Sequence, residues 1–429
     1  MTRRKTLHRR TLIKLAAANA LLTAAGRAVA DGGSPAHVVI AGGGFAGATC
    51  ARYLRRVDPG LRVTLVEPES RITACPMSNW LLIGRRRLDD LAIDHAGLRA
   101  AGVEVVRDRV NIVDGGRRKV GLAGGGTLAF DRLVLAPGIR FKWGAPEGYD
   151  EAAAQVMPHA WRAGAQTELL LRQLQGMADG GVVGISVPAA PFRCPPGPYE
   201  RASLVAWFLR EHKPRSKVLI LDANDKFSKQ ALFKEAWDAL YPGMIEWLPV
   251  TEDGAVRRVD PATMTLHTEF AAHRVAVANV IPVQAAGEIA GLAGLADASG
   301  WCPVDPLTFE SVRMPGVHVI GDAAIAQPMP KSASAANSQA KNCALAIARM
   351  LRDEDPGEPS LHNTCYSLVA PDHAISINGI YRVADGAIVP VEGAGGVSPT
   401  GAPAEFRARE ARYNQDWYES IVTDSFGRG

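Results

Sequence analysis

Six cysteines occur in the chain, and three of them have neighbours that suit sulfur chemistry. Cys75 lies alone in the polar stretch Arg71-Ile-Thr-Ala-Cys-Pro-Met-Ser-Asn79. Cys194 lies in a turn stiffened by Pro188, Pro191, Pro195, Pro196 and Pro198, and Cys365 in Asn363-Thr-Cys-Tyr366. A thiolate is a nucleophile and a disulfide exchanges with an incoming sulfur, so such residues can carry electrons in pairs. Composition alone favours a structural disulfide with a spare thiol. Placement favours redox chemistry, because two of the loops should converge on a bound cofactor. Cys50 and Cys343 fall in helical, alanine-rich contexts and read as small core residues, and Cys302, in Trp301-Cys-Pro303, reads as packing. No Cys-x-x-Cys-His occurs, which excludes a haem held by this chain, and the ten histidines do not cluster with cysteines at zinc spacing.

The cofactor signal is His37-Val-Val-Ile-Ala-Gly-Gly-Gly-Phe-Ala-Gly47, with Glu67 about twenty residues on. The apolar run Val38–Ile40 predicts a buried parallel strand, and Ala48–Arg56 a helix. Between them, Gly42, Gly44, Phe45, Ala46 and Gly47 form a Gly-x-Gly-x-x-Gly turn. Gly42 permits the tight turn, Gly44 a close approach to a pyrophosphate, and Gly47 close strand–helix packing. Free N–H groups and the helix dipole supply the anion site. A second strand, Arg62–Val66, ends at Glu67, an acceptor for ribose hydroxyls.

These residues need a scaffold, and the remaining sequence predicts one. Val103–Val106 reads as a third strand, and Lys119–Leu122 with Thr127–Leu135 as a hairpin around Gly124–Gly126, running into Leu133-Val-Leu-Ala-Pro-Gly138. A second α/β block opens at Gly181–Val187, with strands at Lys217–Leu221 and Ile245–Leu248. Its turn, Pro188–Pro198, lacks the glycine triplet, and its prolines remove N–H donors that a nicotinamide pyrophosphate needs. Asp222 is the remaining candidate for a ribose contact there. Val280–Val283 and Gly316-Val-His-Val-Ile-Gly-Asp322 return to the first block, and Ser332–Leu351 reads as a long helix with Lys331 beside its N-terminus. A Pro/Gly/Glu-rich boundary at Asp353–Pro359 precedes strands Ala374–Ile380 and Ala387–Glu392 and a charged helix from Ala404 to about Tyr418. The predicted fold class is α/β: two Rossmann-like domains of glutathione-reductase type plus a C-terminal α+β domain. The expected divisions are 31–157 and 280–355 for the two parts of the cofactor domain, 158–279 for the second Rossmann-like domain, and 356–429 for the cap.

Residues 1–30 read as an export leader. Arg9-Arg10-Thr-Leu-Ile-Lys14 precedes an apolar run too short to span a membrane and an Ala28-Val-Ala30 cleavage site, resembling a twin-arginine signal. Taking its seven basic residues from the 48 of the whole chain leaves 41 basic against 44 acidic, so the chain's basicity belongs to the leader. Nothing in that balance points to nucleic acid. The expected location is the periplasm, with no integral membrane span.

Pro191-Phe-Arg-Cys-Pro-Pro-Gly-Pro-Tyr-Glu-Arg201, Thr73-Ala-Cys-Pro-Met-Ser-Asn79, Trp301-Cys-Pro-Val-Asp305, His318-Val-Ile-Gly-Asp322 and the ending Trp417–Gly427 resemble the flavoprotein subunit of flavocytochrome c sulfide dehydrogenase. A closely related sulfur-oxidation flavoprotein shares these motifs. The resemblance implies FAD joined through a thioether at Cys75, a redox-active disulfide between Cys194 and Cys365, and Glu200 as an acid/base. It implies Gly42, Gly44, Phe45, Ala46, Gly47, Glu67, Cys75, Val110, Gly138, Gly321, Asp322 and Lys331 as cofactor-binding positions, and no metal. The flavin loop reads Ala-Cys-Pro-Met where an aromatic beside the cysteine is expected in many relatives. The implied activity is oxidation of sulfide to zero-valent sulfur, with electrons passed to a separate c-type cytochrome subunit. The rivals are a sulfide:quinone oxidoreductase and an accessory flavoprotein that reactivates a sulfur-carrier complex by thiol exchange.

Overall fold

Val38, Val39 and Ile40 are wholly buried because strands pair on both sides of His37–Ala41, two long helices cover one face, and a β-excursion with the short helix Glu288–Leu292 covers the other. In the computed structural model, which describes residues 35–427, this strand is central to a five-stranded parallel sheet. Its order is Val317–Val319, Arg132–Leu135, His37–Ala41, Arg62–Val66, Glu104–Val106. The leader read over 1–30 lies outside the described residues. The first helix, Phe45–Val57, starts three residues before the expected Ala48, directly after Gly44.

A second parallel sheet runs Ile245–Leu248, Lys217–Asp222, Val182–Val187, Val277–Val280. The strand expected at Val280–Val283 is therefore shifted: Val277–Val280 belongs to this second sheet. The chain crosses back through Gln284–Ala286, which pairs antiparallel with Ile139–Phe141. The expected hairpin is also corrected. Thr127–Ala129 pairs with Lys119–Leu122, an unforeseen Val110–Asp114 completes a three-stranded excursion, and Arg132–Leu135 is a separate strand of the first sheet. The break falls at Phe130 and Asp131, where the chain turns to lay Arg132–Leu135 parallel to His37–Ala41.

The third sheet is antiparallel and carries Cys365. Its strands Leu361–Ala370 and His373–Ala384 are long, and Ala387–Pro390 and Gly396–Val397 complete it. The strand Leu361–Ala370 is absent from the sequence expectation because His362, Asn363, Thr364 and Ser367 break its apolar alternation. The stretch from His362 to Thr364 is tied to the helix Ala333–Met350 and its N-cap. Ser338 Oγ accepts from His362 N at 3.0 Å, Ser334 Oγ accepts from Thr364 N at 2.9 Å, and Ser332 Oγ donates to Asn363 Oδ1 at 2.6 Å.

The C-terminal helix runs Ala404–Phe426, two turns beyond the expected end. Polar residues between Glu419 and Ser425 mask Tyr418, Ile421, Val422 and Phe426, which repeat at helical spacing and are all buried. Asp424 fixes this last stretch. It accepts from Tyr53 Oη at 2.8 Å and Asn337 Nδ2 at 2.9 Å, and pairs with Lys341 at 2.7 Å. Three helices are thereby locked together over the first sheet.

Candidate active site

Each glycine of the first turn has a measurable reason. Gly42 adopts φ +106°, and a methyl carbon there would lie 2.3 Å from the Ala136 carbonyl oxygen. On Gly47 it would lie 1.8 Å from the carbonyl oxygen of Gly42, whereas on Gly44 it would meet no atom within 4 Å. Gly44 therefore presents bare backbone at the N-terminus of a 13-residue helix, as a phosphate cradle requires. Gly43, unremarked in the sequence pattern, is equally constrained: a methyl there would collide with Glu67 and His95. Its N–H donates to Glu67 Oε2 at 2.7 Å, and its carbonyl oxygen lies 2.9 Å from His95 Nε2. Glu67 also accepts from Glu69 N at 2.9 Å, so its carboxylate is aimed before any ribose binds. Phe45 meets Phe426 edge-to-face at 5.3 Å, which puts the end of the chain against the turn.

Gly321 closes the opposite wall. It has φ +73°, donates to Gln339 Oε1 at 2.8 Å, and would bring a methyl to 2.9 Å from the Ala46 side chain. Next to it, Asp322 Oδ1 is buried with no partner among the described residues. Burial raises the Asp322 carboxyl, against the opposing charges of Arg193 and Lys331. An unfulfilled buried carboxyl at this position fits a ligand hydroxyl. Lys331 stands over the Trp301 ring at 3.7 Å and donates to the carbonyls of Asp322 (2.7 Å) and Ala324 (2.9 Å), and burial lowers it to about 8. Gly138, at φ +62°, uses its carbonyl to hold Gly287 N at 2.9 Å. Val110 is buried among Val39, Ala41 and Val66, so its side chain belongs to the core behind the site.

The second turn is built from the same strand–turn–helix unit but closed. The Gly197–His212 helix begins where a methyl on Gly197 would strike the Trp161 ring at 2.8 Å and Cys194 Sγ at 3.0 Å. Asp222 is fully engaged by protein donors: Tyr199 Oη (2.6 Å), Trp247 Nε1 (2.9 Å), and Asn224 through N (3.0 Å) and Nδ2 (2.8 Å). It has become a fold-holding acceptor.

Around that closed turn the structure gathers the sulfur residues. Cys194 has a left-handed backbone, φ +57°, and its N–H donates to the Lys331 carbonyl at 2.7 Å, tying its loop to the Gly321–Asp322 wall. Met77, Ala160 and Lys229 nearby are also left-handed without being glycine. Such residues cost roughly 1–3 kcal/mol each and persist only where the surrounding structure over-determines them. Cys194 and Cys365 are both free thiols here, close enough that a charge on Cys365 opposes one on Cys194. Burial pushes both thiols up; Arg193 and Lys229 counter it at Cys194, and Lys229 does so at Cys365. Cys75 Sγ donates to the Trp161 carbonyl at 3.9 Å, an oxygen that also accepts from Arg193. Glu200 accepts from Leu368 N at 3.0 Å and Asn79 Nδ2 at 3.2 Å; burial raises its carboxyl, as suits a proton carrier. Arg201, 2 % exposed, donates to Asn79 Oδ1, Asn279 Oδ1 and the carbonyls of His159 and Ala160, all neutral acceptors. Burial lowers its guanidinium to about 10. Arg193, Arg201, Lys229 and Trp161 are absent from the sequence expectation. Only Arg193 and Arg201 had a signal, flanking Cys194 and Glu200.

Comparison with known proteins completes the picture. Residues 167–282 match the family model "Sulfide dehydrogenase [flavocytochrome c] flavoprotein chain, central", and residues 357–426 match "Flavocytochrome c sulphide dehydrogenase, flavin-binding". A 43-residue stretch is 57% identical to the sulfide dehydrogenase [flavocytochrome c] flavoprotein chain of Chlorobaculum thiosulfatiphilum, covering 10% of this chain and 90% of that sequence. The chain belongs to the flavocytochrome c sulfide dehydrogenase flavoprotein family. The first family match holds Cys194, Glu200 and Lys229, and the second holds Cys365. Residues 36–188, with the glycine turn and Cys75, match the pyridine nucleotide-disulphide oxidoreductase model. The sulfide-quinone reductase of Aquifex aeolicus (strain VF5) is 28% identical over 186 residues, 42% of this chain and 41% of that protein. The solved sulfide:quinone oxidoreductase from Aquifex aeolicus superposes with a TM-score of 0.69 at 17% identity, covering 92% of this chain and 93% of that one, a likeness of fold.

Proposed function

We propose that this chain is the FAD-bearing subunit of a sulfide dehydrogenase. It oxidises hydrosulfide through a Cys194–Cys365 couple and delivers electrons to a c-type cytochrome subunit. The observation that carries this reading is the convergence of Cys75, Cys194, Cys365 and Glu200, from three separate stretches of chain, within one cluster of buried cations. In the oxidised state the two thiols form a disulfide. Hydrosulfide forms a new S–S bond to one of these sulfurs while the bridge breaks, and the electron pair of the broken bond leaves on the other cysteine as a thiolate. The bound flavin supplies a two-electron acceptor that can return electrons singly. Glu200, with a carboxyl raised by burial, takes or returns the sulfur-borne proton. Gly44, Glu67 and Asp322 hold the dinucleotide, and Cys75 anchors it covalently. The closed second turn leaves no pyrophosphate site for a nicotinamide. The twin-arginine leader sends the folded flavoprotein to the periplasm.

The decisive experiment is sulfide-dependent reduction of the purified cytochrome partner, run beside quinone reduction by the same protein. Cytochrome reduction supports the proposal, whereas turnover with quinone alone would transfer the chain to the sulfide:quinone class. Denaturation in acid should leave flavin on the peptide containing Cys75; quantitative release would remove the thioether from the scheme.

A further inference from the structure

Lys229 is a buried cation of the site whose ammonium bonds two strands of the third sheet, Leu361–Ala370 and His373–Ala384. It follows the exposed Asp225 and Lys226 and precedes the helix Gln230–Leu240, and its left-handed backbone (φ +61°) turns the side chain inward, leaving the residue 7 % exposed. Its ammonium donates to Ser367 Oγ at 2.8 Å and to the carbonyls of Cys365 and Ile375, each at 3.4 Å, with the Phe233 ring at 5.9 Å. All three acceptors are uncharged. Glu200 is the carboxyl that faces it without bonding to it; burying an ammonium on neutral acceptors is costly, and a left-handed backbone adds to the cost. A cation held at that cost against the carbonyl of Cys365 is explained if an anion forms beside it during turnover.

We propose that Lys229 is the positioning counter-charge for the thiolate released when the Cys194–Cys365 couple opens, and that its hydrogen bond to the Cys365 carbonyl holds that sulfur in register. This rests on the function proposed above. The groups facing the couple are Arg193 from the loop before the Gly197–His212 helix, Glu200 and Arg201 on that helix, and Lys229. Lys229 acts on both thiols and on Glu200, whereas Arg193 acts on Cys194 alone of the pair. The assignment agrees with the direction of each influence: Lys229 opposes the burial that would otherwise keep both sulfurs protonated.

The test is the pH dependence of iodoacetamide alkylation of the reduced flavoprotein, with mass-spectrometric readout at Cys194 and Cys365, in Lys229→Met, Lys229→Gln and Lys229→Arg. Gln keeps a donor for Ser367 without the charge, so it serves if Met does not fold. The expected result is an alkylation profile displaced to higher pH by a unit or more in Met and Gln, roughly tenfold slower alkylation near neutrality, with Arg restoring most of the rate. Unchanged profiles in the neutral variants, even with a lower melting temperature, would overturn the proposal and leave Lys229 a structural brace. Cys194→Ser separates the two readings. If that variant keeps full sulfide turnover, the disulfide mechanism fails; if it is inactive while Lys229→Gln alkylates like the parent, only this inference fails.

Discussion

The chain contains two strand–turn–helix units of nucleotide-binding design, and they have been finished in opposite ways. In the first, Gly42 and Gly47 let backbone pack on backbone while Gly44 faces open space. In the second, Gly197 is walled by an indole and a thiol, prolines replace N–H donors, and the acid at the strand end, Asp222, is saturated by four protein donors. The same topology thus holds a phosphate cradle once and a platform for sulfur once. What separates them is a handful of side chains, with no change of element order. Function must therefore be read from the site, since the fold supports both.

Breaking the sulfur platform should have the largest effect. Cys194→Ser and Cys365→Ser should each fold and stay yellow, yet lose sulfide-dependent cytochrome reduction by about a hundredfold or more, the scale on which a group acting in the reacting step is felt. Normal turnover in both would reduce the pair to a staple. Next come paired glycine changes. Gly44→Ala should leave the apoprotein's melting temperature within a degree or two while weakening flavin uptake, because its methyl meets only the ligand's space. Gly197→Ala should keep flavin and lose turnover, because its methyl pushes Cys194 Sγ. Flavin loss from Gly197→Ala, with flavin retained by Gly44→Ala, would reverse the assignment of the two turns. NADH should reduce the flavin negligibly, and rapid stoichiometric bleaching in anaerobic stopped flow would reopen the second turn as a nucleotide site.

The smallest effect is on stability. Burial, reinforced by Arg201, Arg162 and Arg193, lowers His159 to about 3, and its Nδ1 accepts from Trp161 N at 2.9 Å. The unfolded chain takes up this proton near pH 6.5 while the folded chain refuses it, so folding stability falls as pH drops from about 6.5 toward 3. The slope is at most about 1.4 kcal/mol per pH unit. Chemical denaturation across that range should show a shallower slope in His159→Gln. An unaltered slope would place the acid sensitivity elsewhere.

Much of this was legible in the sequence, and the failures have physical causes. Gly42, Gly44, Gly47 and Glu67 announce themselves because a cradle demands glycine and an acid at set spacing. Gly43 does not, since its constraint comes from Glu67 and His95, remote in sequence. The strand holding Cys365 was hidden because its polar stretch is tied down by serines of another helix and its cap, at the His362 and Thr364 N–H groups and the Asn363 side chain. Lys229 was invisible for a related reason: a lysine beside Asp225 and Lys226 looks like solvated surface, and only tertiary packing turns it inward.

The contact between Phe45 and Phe426 has a consequence in time. The ribosome delivers the glycine turn long before its aromatic cover. A nascent chain can pair the four strands between His37 and Leu135 early but cannot seat Phe426 against Phe45 and His95 until the C-terminal helix has emerged. A chain arrested before the Ala404–Phe426 helix would carry the glycine turn without its aromatic cover.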